Sequence, residues 1–376
     1  MRVVVIGRTY ILEANRAKWA YLPPDVNLAL VTPPAVRHPL KVYRAEPSAR
    51  WPHFLVPAWG TGRLSGFAFH PWRLWHILRH LGPDLIQVDE EPLSPALLEV
   101  SLLKHQLKCP MVFFSWENLP IRLRWPFSSI CRFNLRRADG AIAGTEEAAR
   151  RLREAGFVGP IATIPQLGVD PERFYPSRNE ALRQQLGLRT FTIGYVGRMA
   201  PEKGLGVLLE ALASLDGDWQ CLLVGEGPVR EEWLKRAKDM GLDRRVVWVP
   251  TVPHTAVPDY INIMDVLVLP SLTTPRWKEQ FGHVLIEAMA CQVPVIGSDS
   301  GAIPEVIGDA GIVVPEGDPN ALARAIERLR SSEAERVAIG RKGRERVLAH
   351  FTNERIAQKT WLFWQEILDA CGSVRR

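Results

Sequence analysis

Along this chain short apolar runs alternate with helix-length amphipathic segments, the pattern of βα units feeding a parallel sheet. In the first half RVVVIG, VNLALVT, DLIQVD, MVFFS, GAIAG and IATIP read as strands. Between them PALLEVSLLKHQL and TEEAARRLREAG read as helices. The second has Thr145 as N-cap, acidic residues in its first turn and Gly156 just past its end. The stretch GVDPERFYPSRNEALRQQLGLRT, with two prolines and mixed charge, interrupts the alternation. A second series follows: FTIGYVG, KGLGVLLEALASL, WQCLLVGEG, VREEWLKRAKDMG, VVWVP, DVLVLPS, HVLIEAMACQ, VPVIGSD and GIVVP. The interruption predicts two domains, residues 1–180 and 181–355. The closing segment reads as a helix over 356–376 whose Trp361, Leu362, Trp364, Ile367 and Leu368 need an apolar surface to cover. Two βα domains in tandem predict a ligand cleft between them, with sites at the carboxyl ends of the strands.

Composition narrows the class. A chain of 376 residues, 47% hydrophobic and 23% charged, is too long for one ordinary core. No apolar run reaches the roughly 18–20 residues of a membrane span, and the apolar start of the first strand is too short for a signal peptide. The five cysteines are scattered, odd in number and without metal-ligand spacing. They point to thiols in a reducing cytoplasm rather than to a zinc site or a disulfide framework. A formal charge of +6 permits an anionic partner. Arg122, Arg124, Arg132, Arg136 and Arg137 lie among Trp125, Phe127 and Phe133. That mixture fits contact with an anionic membrane surface at its inner face, and fits equally a helix whose arginines face solvent while its aromatics pack inward. No nucleic-acid motif accompanies the charge.

Three stretches carry candidate chemistry. In IGYVGRMAPEKGLGVLLEAL a strand runs into Gly197 and Arg198, and Lys203 stands where a helix opens. A guanidinium and an ammonium beside exposed helix amides suit a diphosphate; two surface cations on a βα loop are the plainer alternative. In LLVGEGPVREEW, Gly225 and Gly227 serve a tight turn, and Gly225 also leaves room for a ligand to approach the backbone. In KEQFGHVLIEAMACQVPVIGSD, Glu279 and Glu287 would lie about 12 Å apart if the run were one helix. A helix starting near Gly282 instead leaves Glu279 in the preceding loop, reaching sugar hydroxyls, and puts Glu287 two turns in, against another part of a ligand. A satisfied buried acid and a solvated loop charge are the alternative.

GRMAPEKG followed some eighty residues later by PSLTTPRWKEQFGHVLIEAMACQVPVIGSDSGAIPEVI resembles the family-four class of retaining nucleotide-sugar glycosyltransferases, strongly over about 190–350 and more weakly before it. The resemblance implies an α/β fold of the GT-B type, two Rossmann-like βαβ domains facing across a deep cleft, the first binding acceptor and the second the donor. It implies that Arg198 and Lys203 bind the donor diphosphate and, with Glu279 on the donor sugar, form the catalytic set. Gly197, Gly225 and the backbone at Phe281, Gly282 and His283 would line the donor, Glu287 would hold the ribose, and Thr251 and Val252 would flank the base. It further implies a front-face mechanism in which the departing phosphate takes the acceptor proton, with no protein nucleophile, metal or other cofactor. The partners would be a nucleotide sugar and a saccharide or lipid-linked acceptor, as in cell-envelope polysaccharide synthesis. The C-terminal helix would cross back to the first domain. A nucleotide-sugar epimerase or hydrolase of the same fold and a non-catalytic sugar-nucleotide binder are the competing functions.

The chain also departs from the family. IGRTYILEANRAKW has only Gly7 where many members have a glycine-rich loop, and adds Arg8, Arg16 and Lys18, which either mark an acceptor pocket or solvate a loop. Trp116-Glu117-Asn118 stands where many members carry a histidine, making Glu117 and Asn118 acceptor-side candidates. Gln166-Leu167 replaces the commoner asparagine-glycine pair. Asp89, Glu90 and Glu91 end a strand and suit polar sugar recognition, or a solvated acidic loop.

Overall fold

The computed structural model describes residues 1–37, 42–120 and 123–373. It divides into two compact units, one of Met1–Gly168 with the chain from Asn353 onward, the other of Val169–Thr352. Residues 169–180 therefore pack with the second unit rather than the first, and the C-terminal helix, Asn353–Ser373, starts three residues before the expected 356.

The first unit is built on seven parallel strands: β1 (Arg2–Ile6), β2 (Asn27–Thr32), β3 (His53–Leu55), β4 (Leu85–Val88), β5 (Met111–Ser115), β6 (Gly140–Ala143) and β7 (Ile161–Thr163). Their spatial order is β7-β6-β5-β4-β1-β2-β3, with Val4 paired to Ala29 on one side and to Ile86 on the other. The strands read as continuous apolar runs because both faces of the sheet are covered. One face packs Val4, Ile6, Ile86 and Phe113 against Leu74, Leu78, Leu97 and Val100 of the helices Pro71–Leu81 and Pro95–Leu107. On the other, Val3, Val5 and Leu30 meet Trp19, Ile356, Phe363, Trp364 and Ile367. The C-terminal helix thus belongs to the first unit. Its buried stripe runs through Ile356, Phe363, Trp364 and Ile367, while Leu362 of the expected stripe is half exposed. Trp364 stacks on Trp19 at 5.6 Å between ring centroids and donates its indole N–H to Gln87 at 2.7 Å.

The second unit repeats the scheme with β8 (Phe191–Val196), β9 (Trp219–Val224), β10 (Val246–Val249), β11 (Val266–Leu269), β12 (Val295–Ser298) and β13 (Ile312–Val314), in the order β10-β9-β8-β11-β12-β13. In both sheets the order reverses beside the first strand, between β1 and β4 and between β8 and β11. Successive βα loops diverge there and leave a crevice at the carboxyl ends, where open α/β sheets bind ligands.

Thr145 caps Glu146–Glu154 by accepting from Ala148 N at 3.2 Å. Residues 8–21, read as a loop, form 3₁₀ turns that bury Tyr10 and Trp19. The helix Phe127–Arg137 exposes Arg132, Arg136 and Arg137, with Arg124 and Trp125 exposed before it; Arg122 lies outside the described residues.

Candidate active site

Beyond β8 the chain passes Gly197 and Arg198, makes a 3₁₀ turn over Pro201–Lys203, and starts the helix Leu205–Ala213 after Gly204. The turn sets Lys203 Nζ 2.7 Å from Glu279 Oε2, with Nζ also 4.7 Å over the Trp277 ring. The same carboxylate oxygen accepts from buried Ser271, just past β11, at 2.7 Å. Glu279's backbone carbonyl takes Ala302 N at 3.1 Å, so the loops after β8, β11 and β12 all converge on this acid. Arg198 is half exposed and pairs with Glu202 one turn on.

Gly282, at φ 76°, ends the loop that carries Glu279; a side chain there would be strained and would meet Leu269 Cδ2 at 2.9 Å. The helix His283–Ala290 begins directly after it, as the sequence predicted, and leaves its first amides unpaired within the helix. Four residues in, Glu287 is buried. Its Oε1 accepts from His254 Nε2 at 2.7 Å and His283 Nδ1 at 3.2 Å, and Oε2 has no partner among the described residues. Burial alone would raise its pKa; the bonds from His254 and His283 and their charge more than offset this and bring it down to about 2. His283 Nε2 is buried without a hydrogen-bond partner among the described residues. His254 lies three residues after Thr251, in the loop following β10 that also holds Val252; Thr251 is exposed and Val252 half-buried. Gly225 stands at φ 136° in the turn that follows β9. A Cβ there would meet Gly197 O at 2.1 Å, so its bareness lets two strand ends pack together.

In the first unit the switch point between β1 and β4 holds a pocket of about 290 Å³ lined by Arg8, Asp89, Glu90, Glu91, Trp116 and Gln166 among others. Arg8 meets Glu90 in a two-pronged pair, Nε to Oε1 at 2.9 Å and NH2 to Oε2 at 2.5 Å. Asp89 accepts from Tyr10 Oη at 2.5 Å, Gln87 Nε2 at 2.6 Å and Gln166 Nε2 at 3.1 Å. Glu91 accepts from Ser115 Oγ at 2.5 Å and Trp116 N at 2.6 Å; burial outweighs these bonds and pushes its pKa up to about 7. Among the described residues no cluster of His, Cys, Asp and Glu could hold a metal ion, all five cysteines are free, and no helix is long and apolar enough to cross a membrane.

Residues 178–346 match the family model for glycosyl transferases group 1, and residues 28–173 that for glycosyltransferase family 4. The chain belongs to the group 1 glycosyltransferases. A 2-deoxystreptamine glucosyltransferase of Streptomyces kanamyceticus is 29% identical over 66% of this chain and 66% of its own length. A GDP-mannose-dependent alpha-(1-6)-phosphatidylinositol monomannoside mannosyltransferase of Mycolicibacterium smegmatis is 32% identical over 58% of this chain and 61% of its own. The matches thus span less than two thirds of these relatives' length. The Anabaena HepE protein, crystallised with UDP, superposes with a TM-score of 0.78 over 97% of this chain and 100% of that one, at 19% identity. That likeness is one of fold: two Rossmann-like domains of the GT-B class.

Among the residues singled out in this group 1 glycosyltransferase, Lys203 and Glu279 meet directly, and His283 and Glu287 meet on one helix face. Arg16 departs from its expected place. Its side chain is buried and donates to the carbonyls of Tyr10, Ile11, Glu46 and Pro47 at 2.6–3.0 Å, so it braces the turns instead of lining a pocket. Lys18 is likewise buried, 4.2 Å over the Trp19 ring, and burial lowers its pKa to about 8 despite the nearby Asp89. Glu117 accepts from Leu119 N at 3.0 Å and Asn118 is buried. His254 was missed; its only sequence signal is a lone histidine in the turn TVPHTAVPD.

Proposed function

We propose that this protein transfers a glycosyl group, with retention of anomeric configuration, from a nucleoside-diphosphate sugar to a saccharide or lipid-linked acceptor. The observation that carries the reading is the Lys203–Glu279 pair at the β8/β11 switch point, an ammonium and a carboxylate brought together from separate βα loops. Supporting it, two relatives are a glucosyltransferase and a GDP-mannose-dependent mannosyltransferase, and HepE was crystallised in complex with UDP.

In this reading the Lys203 ammonium, with Arg198, offsets the charge growing on the departing diphosphate, the electrostatic contribution that dominates such transfers. Glu279 positions the donor sugar through its hydroxyls. Glu287 Oε2 accepts from the ribose, its other oxygen being held by two histidines. The bond from the anomeric carbon to phosphate breaks while the acceptor oxygen bonds on the same face, and the leaving phosphate oxygen takes the acceptor proton. No protein nucleophile, metal or other cofactor is called for, because the cations supply the countercharge. Arg8, Glu90 and Gln166 would hold acceptor hydroxyls at the first sheet's switch point. The exposed Trp125 with Arg124, Arg132 and Arg136 supports peripheral contact at the inner face of a membrane, in the synthesis of an envelope glycan. The mannosyltransferase relative, whose name specifies a phosphatidylinositol mannoside, agrees with this.

The test is product analysis with UDP-, GDP- and ADP-sugars, with and without saccharide acceptors, reading anomeric configuration by NMR. Acceptor-dependent product of retained configuration is expected. A donor altered equally without acceptor would identify an epimerase or hydrolase, and donor binding with no turnover a non-catalytic binder.

A further inference from the structure

A second cavity of the first unit stands beside the strand-end pocket and differs from it in kind. It measures about 420 Å³, the size of a small-molecule site and far beyond an ordinary packing void. Leu93, Leu119, Leu123 and Leu152 line it together with the Cys131 thiol. Glu91 lines both spaces, so the two adjoin across a single side chain. The carboxyls on the apolar wall behave accordingly. Burial holds Glu91 at about 7 and raises Glu117, and it raises the Cys131 thiol to about 11. Arg151, the cation lining the chamber, is committed to Glu154 at 2.7 Å and Glu147 at 3.7 Å. A free polar sugar therefore gains little in this chamber, whereas the adjoining pocket offers Arg8, Asp89, Glu90 and Gln166.

We infer that the chamber takes the hydrocarbon part of an amphiphilic acceptor whose sugar occupies the strand-end pocket. One molecule would span both spaces past Glu91, its polar head among the charged groups and its alkyl part among the leucines. Leu123 leads directly into Arg124 and Trp125, both exposed, so the apolar wall continues outward into a basic and aromatic surface suited to the headgroup side of a lipid layer. That the amphiphile is an acceptor rests on the glycosyl-transfer reading; that the chamber binds an alkyl chain does not.

The experiment uses the full chain without donor, with octyl glucoside below its micelle concentration and glucose as probes. Alkylation of Cys131 by N-ethylmaleimide, at mildly alkaline pH, is followed by peptide mass spectrometry. Octyl glucoside is expected to slow labelling of Cys131 several-fold while glucose does not, and labelling of Cys371 is expected to stay unchanged. Leu152→Trp, which fills the chamber, should remove the protection. Ala155→Trp, an exposed position on the same wall, should do so without disturbing the core. Equal effects of glucose and octyl glucoside, or protection that survives in a folded Ala155→Trp protein, would overturn the inference. A second arm compares KM for a sugar acceptor and its octyl glycoside. Identical KM values in an active transferase sink the chamber assignment alone, and absence of any transfer sinks the functional reading while leaving the labelling result intact.

Discussion

Lys203 Nζ lies 2.7 Å from Glu279 Oε2 although 76 positions of sequence separate them. Both side chains are largely buried, at 18% and 8% exposure, so each neutralises a charge the other could not carry alone in that setting. Lys203→Met and Glu279→Gln are each expected to lower kcat by about 10²–10³-fold. Lys203→Met should also destabilise the second unit by about 1–3 kcal/mol, because the largely buried Glu279 carboxylate loses the ammonium that donates to its Oε2. The double variant Lys203→Met/Glu279→Met should regain part of that stability and none of the turnover. Urea titrations and steady-state assays check both, and near-native turnover in either single variant would refute the site.

His254 and Glu287 make a second prediction, in pH. Glu287 sits at about 2 in the folded chain against an ordinary value of 4.5. A depressed carboxylate contributes stability that is fully present above the unfolded value and lost as pH falls through the folded one. The acid limb of stability between about pH 4.5 and 2 should therefore be steeper in the parent than in His254→Ala, and the two should converge below it. In the same variant KM for the donor should rise about tenfold with kcat little changed. Parallel acid limbs measured by circular dichroism would show that His254 does not hold the carboxylate.

Glu91 gives the opposite sign. Its folded value of about 7 stands above the ordinary 4.5, so its favourable contribution is complete below pH 4.5 and drains as pH rises through 7. Glu91→Gln keeps an acceptor for Trp116 N and cannot ionise. The variant should be more stable than the parent at pH 8, by on the order of 1–3 kcal/mol, and indistinguishable near pH 4. Thermal melts at the two pH values decide it; a variant less stable at pH 8 would rule the account out.

Trp364 tests which unit owns the C-terminal helix. Trp364→Ala deletes a fully buried indole, its stack on Trp19 and its bond to Gln87. A cost of about 3–5 kcal/mol is expected, confined to the first unit. Scanning calorimetry should show one transition lowered by about 10 °C and the other unmoved, and a uniform shift of both would contradict the assignment.

The alternation of apolar runs made most of both sheets legible, since strands covered on both faces carry few polar positions, such as Gln87 and Thr192, to blur them. The three-residue β3, His53–Leu55, was too short to stand out from its surroundings. Residues 8–21 misled for another reason. Arg16, surrounded in sequence by polar neighbours, looks like a solvated cation until it is seen to serve carbonyls as far off as Pro47. Hydrogen bonds of that span leave no local periodicity. The same holds at the candidate site. A helix starting after Gly282 could be read from a glycine before an apolar run, but the bond from His254 to Glu287 crosses 33 positions and has no signature in either segment. Lys203 and Glu279 were each recognisable, while their direct pairing was not.

The chain leaves the first unit at Gly168 and returns to it at Asn353, and the two crossing points lie side by side: Val169 and Thr352 form a parallel bridge, with Val169 N bonded to Phe351 O at 2.9 Å. The second unit is therefore a cassette, inserted at one point in the chain of its host and closed at its own base. Its ends already meet, so a short linker between Gly168 and Asn353 would restore the host's continuity. A cassette from another member of the family could be exchanged there without cutting any strand of either sheet.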